Sequence, residues 1–374
     1  EIIVADESQL PVDPLKDKPK GKCKKCGGSD FESEKDVLDT WFTSSMTPRL
    51  SIELLDKKFW PELYPMNLRP QASEIITFWL FNTVVKSNLH YGKNPFKDVV
   101  VSGFVTLGGQ KMSKSRGNVV EPQQVISQYG ADAIRFWAAG SKLGDDIEYS
   151  EKEVVSGKKF VTKMLNASNF VFLNLKNYKP KKIELLEVDK LFLFKLNELV
   201  EQATKDFDNY DYHKAKALID HFFWHVFCDY YLEIVKKRVY LGKGKEKESA
   251  EFALYHGLLT LIKLFAPFTP FITEEVYQTH FRKNEGETSI HLCSWPEKID
   301  IGKEKLKAEK FDLLIDVIAR VRKEKTDNKK AMNSEIILTL DEKEYNELKD
   351  MINDLKNVTN SREIEKGKFG VEFL

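Results

Sequence analysis

The sequence predicts an α/β region up to about residue 150, an all-α bundle behind it, and a small α/β appendage after residue 330. Three observations carry this. First, a short strand at 66–70, an apolar helical stretch (SEIITFWLFNTVVKS) and a β-branched run (DVVVSGFV, 98–105) line up as a β-α-β unit. Second, beyond 151 apolar residues recur at helical spacing, most clearly Ile219, Phe222, Phe223, Val226, Phe227, Tyr230, Tyr231 and Ile234. Third, the last 40 residues return to strand-helix-strand texture, with EIILTL, a charged helix from about Asp341 to Leu355, and a glycine-turned KGKFGVEFL.

Composition bounds the function. A chain of 374 residues can hold two or three cored domains, and 42% hydrophobic with 12% aromatic residues indicates a folded globular protein. Basic and acidic residues number 58 each, so a nucleic-acid partner has to be held by local patches. No apolar run approaches the roughly 20 residues of a membrane span, so a soluble chain with no membrane partner is expected. Four cysteines do not make a secreted disulfide scaffold, and a cytoplasmic, reducing location fits them. The chain starts at Glu1 without a signal peptide, so a fragment of something longer is expected.

Taken in order, residues 1–35 are rich in proline, glycine and lysine around the knuckle Cys23-Lys-Lys-Cys26, after a β-prone start at Ile2, Ile3 and Val4. Ser73 is expected to help start the first long helix. The run from Asp98 to Val105 reads as a strand buried on both faces, parallel to the first strand. A right-handed crossover then puts functional loops at the strands' carboxyl ends, and GGQKMSKSRGN (108–118) follows directly. Helices are expected from Pro122, divided at Gly130, and the acidic GDDIEYS closes the region. Further stripes run through Phe192, Leu196, Leu199 and Val200, through Leu254, Leu258, Leu261 and Ile262, and through Leu314, Val317, Ile318 and Val321. They should pack as a bundle, reset at Pro267 and Pro270.

Most lysine-serine stretches are solvated turns. A loop that handles phosphate, however, needs mobile cations, small hydroxyls and glycines, and Lys111, Ser113, Lys114, Ser115 and Gly117 supply all three. The string KMSKS at 111–115 is the lysine-loop signature of class I aminoacyl-tRNA synthetases, with a chance occurrence on the order of one in ten thousand. Its setting, after a strand and before a helical region, matches that family. DVLDTWFTSSMTP, LRPQASEIITFWLFNT, FFWHVFCDYYLEIVKKRVY and SIHLCSWP make the chain resemble the valine-specific, archaeal-type branch most closely.

The resemblance implies a second half of a Rossmann-type nucleotide-binding domain at 36–150, a helical anticodon-binding domain at 151–330 and a C-terminal appendage at 331–374, behind a partial zinc-ribbon-like module at 1–35. It implies ATP with Mg2+, valine and tRNA-Val as reactants and partners: valine's carboxylate attacks the α-phosphate, and the valyl group then passes to the tRNA's terminal ribose. Lys111 and Lys114 would meet the charge that gathers on the phosphates. Gly103, Met112, Ser113 and Ser115 would lie on the nucleotide, and Glu74 would meet its ribose or merely satisfy a helix start. Trp41 and Trp79 would line the valine pocket, although aromatics in apolar segments are more often core. In KMLNASNFVFLN, Lys163, Asn166 and Phe170 would face the anticodon. The clusters Lys236, Lys237, Arg238 and Arg320, Arg322, Lys323, Lys325 either track phosphates or form ordinary solvated faces, the latter being the default.

Two family features are missing. No His-Ile-Gly-His string occurs, and the nearest match, His90-Tyr-Gly92-Lys93, reads as a turn. Cys23 and Cys26 would supply at most half of a tetrahedral Zn2+ site, since Cys228 lies in a helix stripe and Cys293 in a late loop, and the alternative reading is a pair of plain thiols. The expectation is that an N-terminal catalytic half with its editing insertion belongs ahead of Glu1, and that this chain alone forms no adenylate. A noncatalytic RNA-binding module is the reading from another class, and leucine or isoleucine specificity is the variant within the family.

Overall fold

The computed structural model describes residues 2–55, 57–175, 178–181, 183–302 and 307–374. Two compact units divide it, residues 1–101 and 102–374.

In the first unit, residues 2–39 are almost without regular structure, and Ile2 to Val4 join no strand. Short helices α1 (Thr40–Ser44), α2 (Thr47–Glu53) and α3 (Trp60–Leu63) precede strand β1 (Met66–Ala72). The helical stretch after it is not uniform: a 3-10 turn (Ser73–Ile75) and a π segment (Ile76–Leu80) lead into α4 (Phe81–Tyr91). Ala72, not Ser73, occupies the N-cap position, and no side chain caps it. The β-branched run Ile75, Ile76, Thr77 restricts χ1 and weakens a regular first turn. Gly92, at φ 62°, ends α4 in the left-handed conformation, so the His90-Tyr-Gly92-Lys93 string is a helix end followed by a turn. Strand β2 (Phe96–Ser102) pairs with β1. Among the described residues, Ile52, Tyr64, Trp79 and Phe96, with Pro48 and Pro95, are the buried apolar residues of this unit.

The expected single strand over 98–105, buried on both faces, is corrected here. β2 ends at Ser102, its residues Lys97, Asp98 and Val99 are exposed, and a new strand starts at Val105 in a different sheet. A sheet of two strands has little to bury its faces with. The break falls at Gly103, where a Cβ would lie 2.2 Å from the Asp145 carbonyl oxygen.

In the second unit, β3 (Val105–Leu107) is central to a small sheet, antiparallel to β4 (Gln110–Lys111) and parallel to β5 (Ile147–Glu148). The lysine loop therefore follows a hairpin and not the end of a parallel strand, and the acidic GDDIEYS stretch supplies an unexpected third strand. Helices α5 (Pro122–Tyr129) and α6 (Ala131–Ala138) meet at Gly130, φ 91°, as the sequence indicates. The long α7 (Glu151–Asn174) presses on α6 so closely that a Cβ on Gly157 would sit 2.6 Å from the Ala133 carbonyl oxygen.

The bundle continues with α8 (Glu187–Asp208), α9 (Tyr212–His221), a π segment (Phe222–Tyr231), α10 (Leu232–Leu241), α11 (Gly244–Phe265), α12 (Pro270–Val276), α13 (Arg282–Glu285) and α14 (Glu309–Asp327). Phe160, Phe223 and Phe265 meet at its centre with ring centroids 4.5 to 5.8 Å apart. Asp132 of α6 accepts from the amides of Phe271 (3.3 Å) and Ile272 (2.6 Å), while Arg135 donates to the carbonyls of Pro267 (2.8 Å) and Phe268 (3.2 Å). The proline elbow is thus bolted to the segment that follows the lysine loop.

The last residues form β6 (Ile336–Leu340), α15 (Glu342–Glu347), α16 (Ile352–Thr359), β7 (Ser361–Lys366) and β8 (Gly370–Phe373). β6 is central, parallel to β7 and antiparallel to β8. Leu338, Leu340, Leu348, Met351 and Leu355 are fully buried in the same apolar core as Phe192 and Leu314. Among the described residues no helix is long and apolar enough to cross a membrane.

Candidate active site and nucleic-acid interface

The lysine hairpin is built by its glycines. Gly108 and Gly109 both have positive φ (61° and 72°), the conformation a two-residue hairpin turn between right-twisted strands requires. The register places Leu107 opposite Gln110 and Thr106 opposite Lys111. Past Lys111 the chain leaves the ladder, makes one 3-10 turn (Lys114–Arg116) and is reversed by Gly117 at φ 69°. Asn118 closes the loop: its Oδ1 accepts from the Ser113 amide at 2.9 Å and its Nδ2 donates to the Lys111 carbonyl at 3.2 Å. The hydroxyls of Ser113 and Ser115 are 2.8 Å apart. Lys111 holds its ammonium 4.0 Å from the Phe104 ring centroid, and both loop lysines are exposed. Met112 donates its amide to the Val105 carbonyl at 3.4 Å. The structure thus brings Gly103, Lys111, Met112, Ser113, Lys114 and Ser115 into one small module, two flexible cations on a tethered loop beside a backbone that only glycine permits.

Three other candidates lie in the first unit. Trp79 is buried, donates to the Ser44 carbonyl at 3.2 Å, and has the Arg69 guanidinium 4.0 Å above its ring. Trp41, on the helix that Trp79 bonds to, remains one-third exposed and stacks on Phe78 at 5.9 Å. Glu74 is exposed in the 3-10 turn ahead of the π segment.

Cys23 and Cys26 are close in sequence and joined by a turn in which the Gly27 amide donates to the Cys23 carbonyl and the Cys23 amide to the Gly28 carbonyl, each at 2.8 Å. The Gly28 amide and the Cys23 thiol hold Cys26 below the ordinary thiol range. Among the described residues no group of three or more histidine, cysteine or acidic side chains is placed to hold a metal. The two thiols fall short of the four donors a structural zinc takes.

On α7, Lys163, Asn166 and Phe170 share one face by their i, i+3, i+7 spacing, and Asn166 is exposed. Residues the sequence reading passed over complete this face. Trp224 lies 5.3 Å from the Lys163 ammonium, Tyr240 meets Phe170 edge-on at 6.1 Å, and Lys236 sits 5.9 Å from the Phe170 ring. Trp224 and Tyr240 fall off the apolar stripe of their helices, the one signal that could have flagged them. The two basic clusters are partly corrected: Arg238 and Lys325 are buried and bonded internally, so neither is available to a phosphate.

Residues 6–150 match the model of tRNA synthetases class I (I, L, M and V), and residues 189–360 match the anticodon-binding domain of tRNA ligase. A valine–tRNA ligase of Rickettsia conorii is 42% identical over 385 residues, covering 97% of this chain and 46% of the relative. One from Haloarcula marismortui is 40% identical over 346 residues, covering 90% and 37%. The chain thus spans about half the length of the curated relatives it matches. Among solved structures, the ternary complex of an Agrobacterium radiobacter LeuRS with tRNA and LeuAMS shares the fold at TM-score 0.61 and 21% identity, over 82% of this chain and 41% of that one. With one matched segment spanning the lysine hairpin and the second spanning the helices from α8 to α16, the chain belongs to the class I tRNA synthetases.

Proposed function

We propose that this chain serves in a valine–tRNA ligase, supplying the lysine hairpin for ATP-dependent activation of valine and the helical face around Phe170 for tRNA-Val. The observation that carries the reading is the hairpin itself, two exposed lysines on a loop tethered at its base by Asn118, in a chain about 40% identical to valine–tRNA ligases along 97% of its length. We place the nucleotide-handling half at 36–150, the tRNA-binding helices at 151–330 and the appendage at 331–374.

In the reaction, a carboxylate oxygen of valine bonds to the α-phosphorus of ATP as the bond to the bridging oxygen breaks, and pyrophosphate leaves with that electron pair. Negative charge grows on the departing phosphates. Lys111, leaving its perch on Phe104, and Lys114 would close on it, and the serine hydroxyls would donate to the same oxygens. Lysine suits a moving target because its stem is flexible and its charge compact. Gly103 would let the nucleotide approach the backbone. Mg2+ would arrive with ATP and offset phosphate charge. Trp41, with Trp79 behind it and Glu74 nearby in sequence, is our choice for the valine pocket and ribose contact.

The experiment is valine-dependent pyrophosphate exchange by a chimera in which this chain replaces the matching region of the Rickettsia conorii ligase. Replacing both lysines by alanine should lower the exchange rate at least a hundredfold, given that single oxyanion-stabilising donors are worth about that much. Unchanged exchange would refute the reading. The chain contains no His-Ile-Gly-His string, and by itself should give no exchange. A purely RNA-binding module would bind tRNA equally well but leave the chimera inactive.

A further inference from the structure

The turn that carries the lysine hairpin is gripped from outside the hairpin. Glu148, at the end of β5, accepts from the Gly108 amide, from the Thr106 hydroxyl and, at 3.3 Å, from the Gly109 amide. Thr106 is paired with Lys111 on one side and Glu148 on the other, so the three form one cross-strand row. Side chains in such a row share a face, with neighbouring strands about 5 Å apart. The amides of a two-residue glycine turn normally point to water. Here a single carboxylate takes both.

These donors, the Thr106 hydroxyl first and then the two amides, hold Glu148 below the usual carboxylate range, so it is ionised at neutral pH. Charged groups on the neighbouring elements include Lys111 on β4 and Asp145 and Asp146 just before β5. The Asp146 carboxylate is itself engaged by the Phe104 amide at 2.7 Å.

We propose that Glu148 is a positioning residue for the two loop lysines, fixing the turn so that movement is confined to the segment between Lys111 and Gly117. The proposal rests on the ligase reading of the hairpin. β3 and β4 pair at two positions, continued by the Met112 amide on the Val105 carbonyl, a short ribbon whose turn is held by bonds from outside it. With Asn118 pinning the far end and Glu148 the turn, the lysines travel on a short tether between two fixed points. Lysines that act in a transition state lose rate when their approach is misdirected, even where substrate affinity is kept.

The test has two arms. In the chain itself, labelled at glycine and followed by NMR-detected hydrogen–deuterium exchange, Glu148→Ala should speed exchange of the Gly108 and Gly109 amides about tenfold or more while leaving Gly157, buried in α7, unchanged. Glu148→Gln, which keeps one carbonyl acceptor, should fall between, and Glu148→Asp, one methylene shorter, should resemble alanine. In the Rickettsia chimera, Glu148→Ala should lower kcat for pyrophosphate exchange about tenfold with KM for valine unchanged, and Glu148→Gln should recover part of it. Unaltered amide exchange in Glu148→Ala overturns the latch. Faster amide exchange with unchanged kcat overturns the positioning role. A chimera indifferent to both lysines would sink the ligase reading and the positioning role together, whereas a lysine-dependent chimera with unaltered amides sinks the latch alone.

Discussion

Arg238 grips both carboxylate oxygens of Asp189, Nη1 donating to Oδ2 at 2.7 Å and Nη2 to Oδ1 at 2.8 Å, with both side chains buried between α8 and α10. Tyr231 donates to the same carboxylate at 2.7 Å, and Ser249 also donates to it. The guanidinium's remaining edge lies 2.8 Å from Asp354 of α16, off the N–H axis, so that contact is an ion pair without an aligned hydrogen bond. Burial pushes Asp354 up to about 6, against the pull of Arg238. One cation thus ties two bundle helices to the C-terminal appendage.

Removing it should be costly. Arg238→Ala leaves two buried carboxylates without their cation, and breaking such a pair costs about 3–5 kcal/mol. Urea denaturation of the chain should show a loss of that order, and a change below 1 kcal/mol would mean the network contributes little.

Lys325 anchors the appendage a second way. Its ammonium, buried at the end of α14, donates to the carbonyls of Met332 (2.8 Å), Ser334 (2.8 Å) and Thr359 (2.7 Å), and burial lowers its pKa. Lys325→Met should strand three acceptors at about 1–3 kcal/mol apiece before relaxation. We expect limited proteolysis to release the segment after residue 330 far sooner than in the parent, with the rest of the bundle still folded.

His256 sets a pH dependence. Burial in α11 holds it down to about 4, against an ordinary 6.5, so the unfolded chain binds the proton more readily than the folded one between these values. Its contribution is fully present above 6.5 and is lost as pH falls through 4. Asp354 runs the opposite way: raised from 3.8, it contributes stability below that value which is lost as pH rises through about 6. A difference measurement isolates the histidine. The stability gap between parent and His256→Phe should shift by about 3 kcal/mol against the parent from pH 7.5 to pH 4, and a constant gap would contradict the burial argument.

The face around Phe170 should bind tRNA partly by stacking and partly by charge. Phe170→Ala and Tyr240→Ala should each cost about 1–3 kcal/mol in binding a tRNA-Val transcript, with little change in salt dependence. Lys163→Ala should instead weaken binding modestly and lower the slope of log K against log salt by about 0.7. Aromatic variants that bind normally would remove these rings from the interface.

What the sequence could determine was whatever is written locally. KMSKS with its flanking glycines, the proline at the start of α12, the glycine between α5 and α6, and the apolar stripes of α8, α11 and α14 all follow from nearest neighbours along the chain, because turns and helix faces are short-range properties. Trp224 and Tyr240 were legible only as residues off a stripe. Tertiary structure alone decided that the strand expected over 98–105 breaks at Gly103 against Asp145, that Glu148 reaches the turn of a hairpin 40 residues away, and that Arg238 and Lys325, which look like surface cations, are buried pins. Each of these depends on a partner distant in sequence. Since side-chain charge says nothing of which carboxylate or carbonyl will stand opposite it, only the packed chain could assign them.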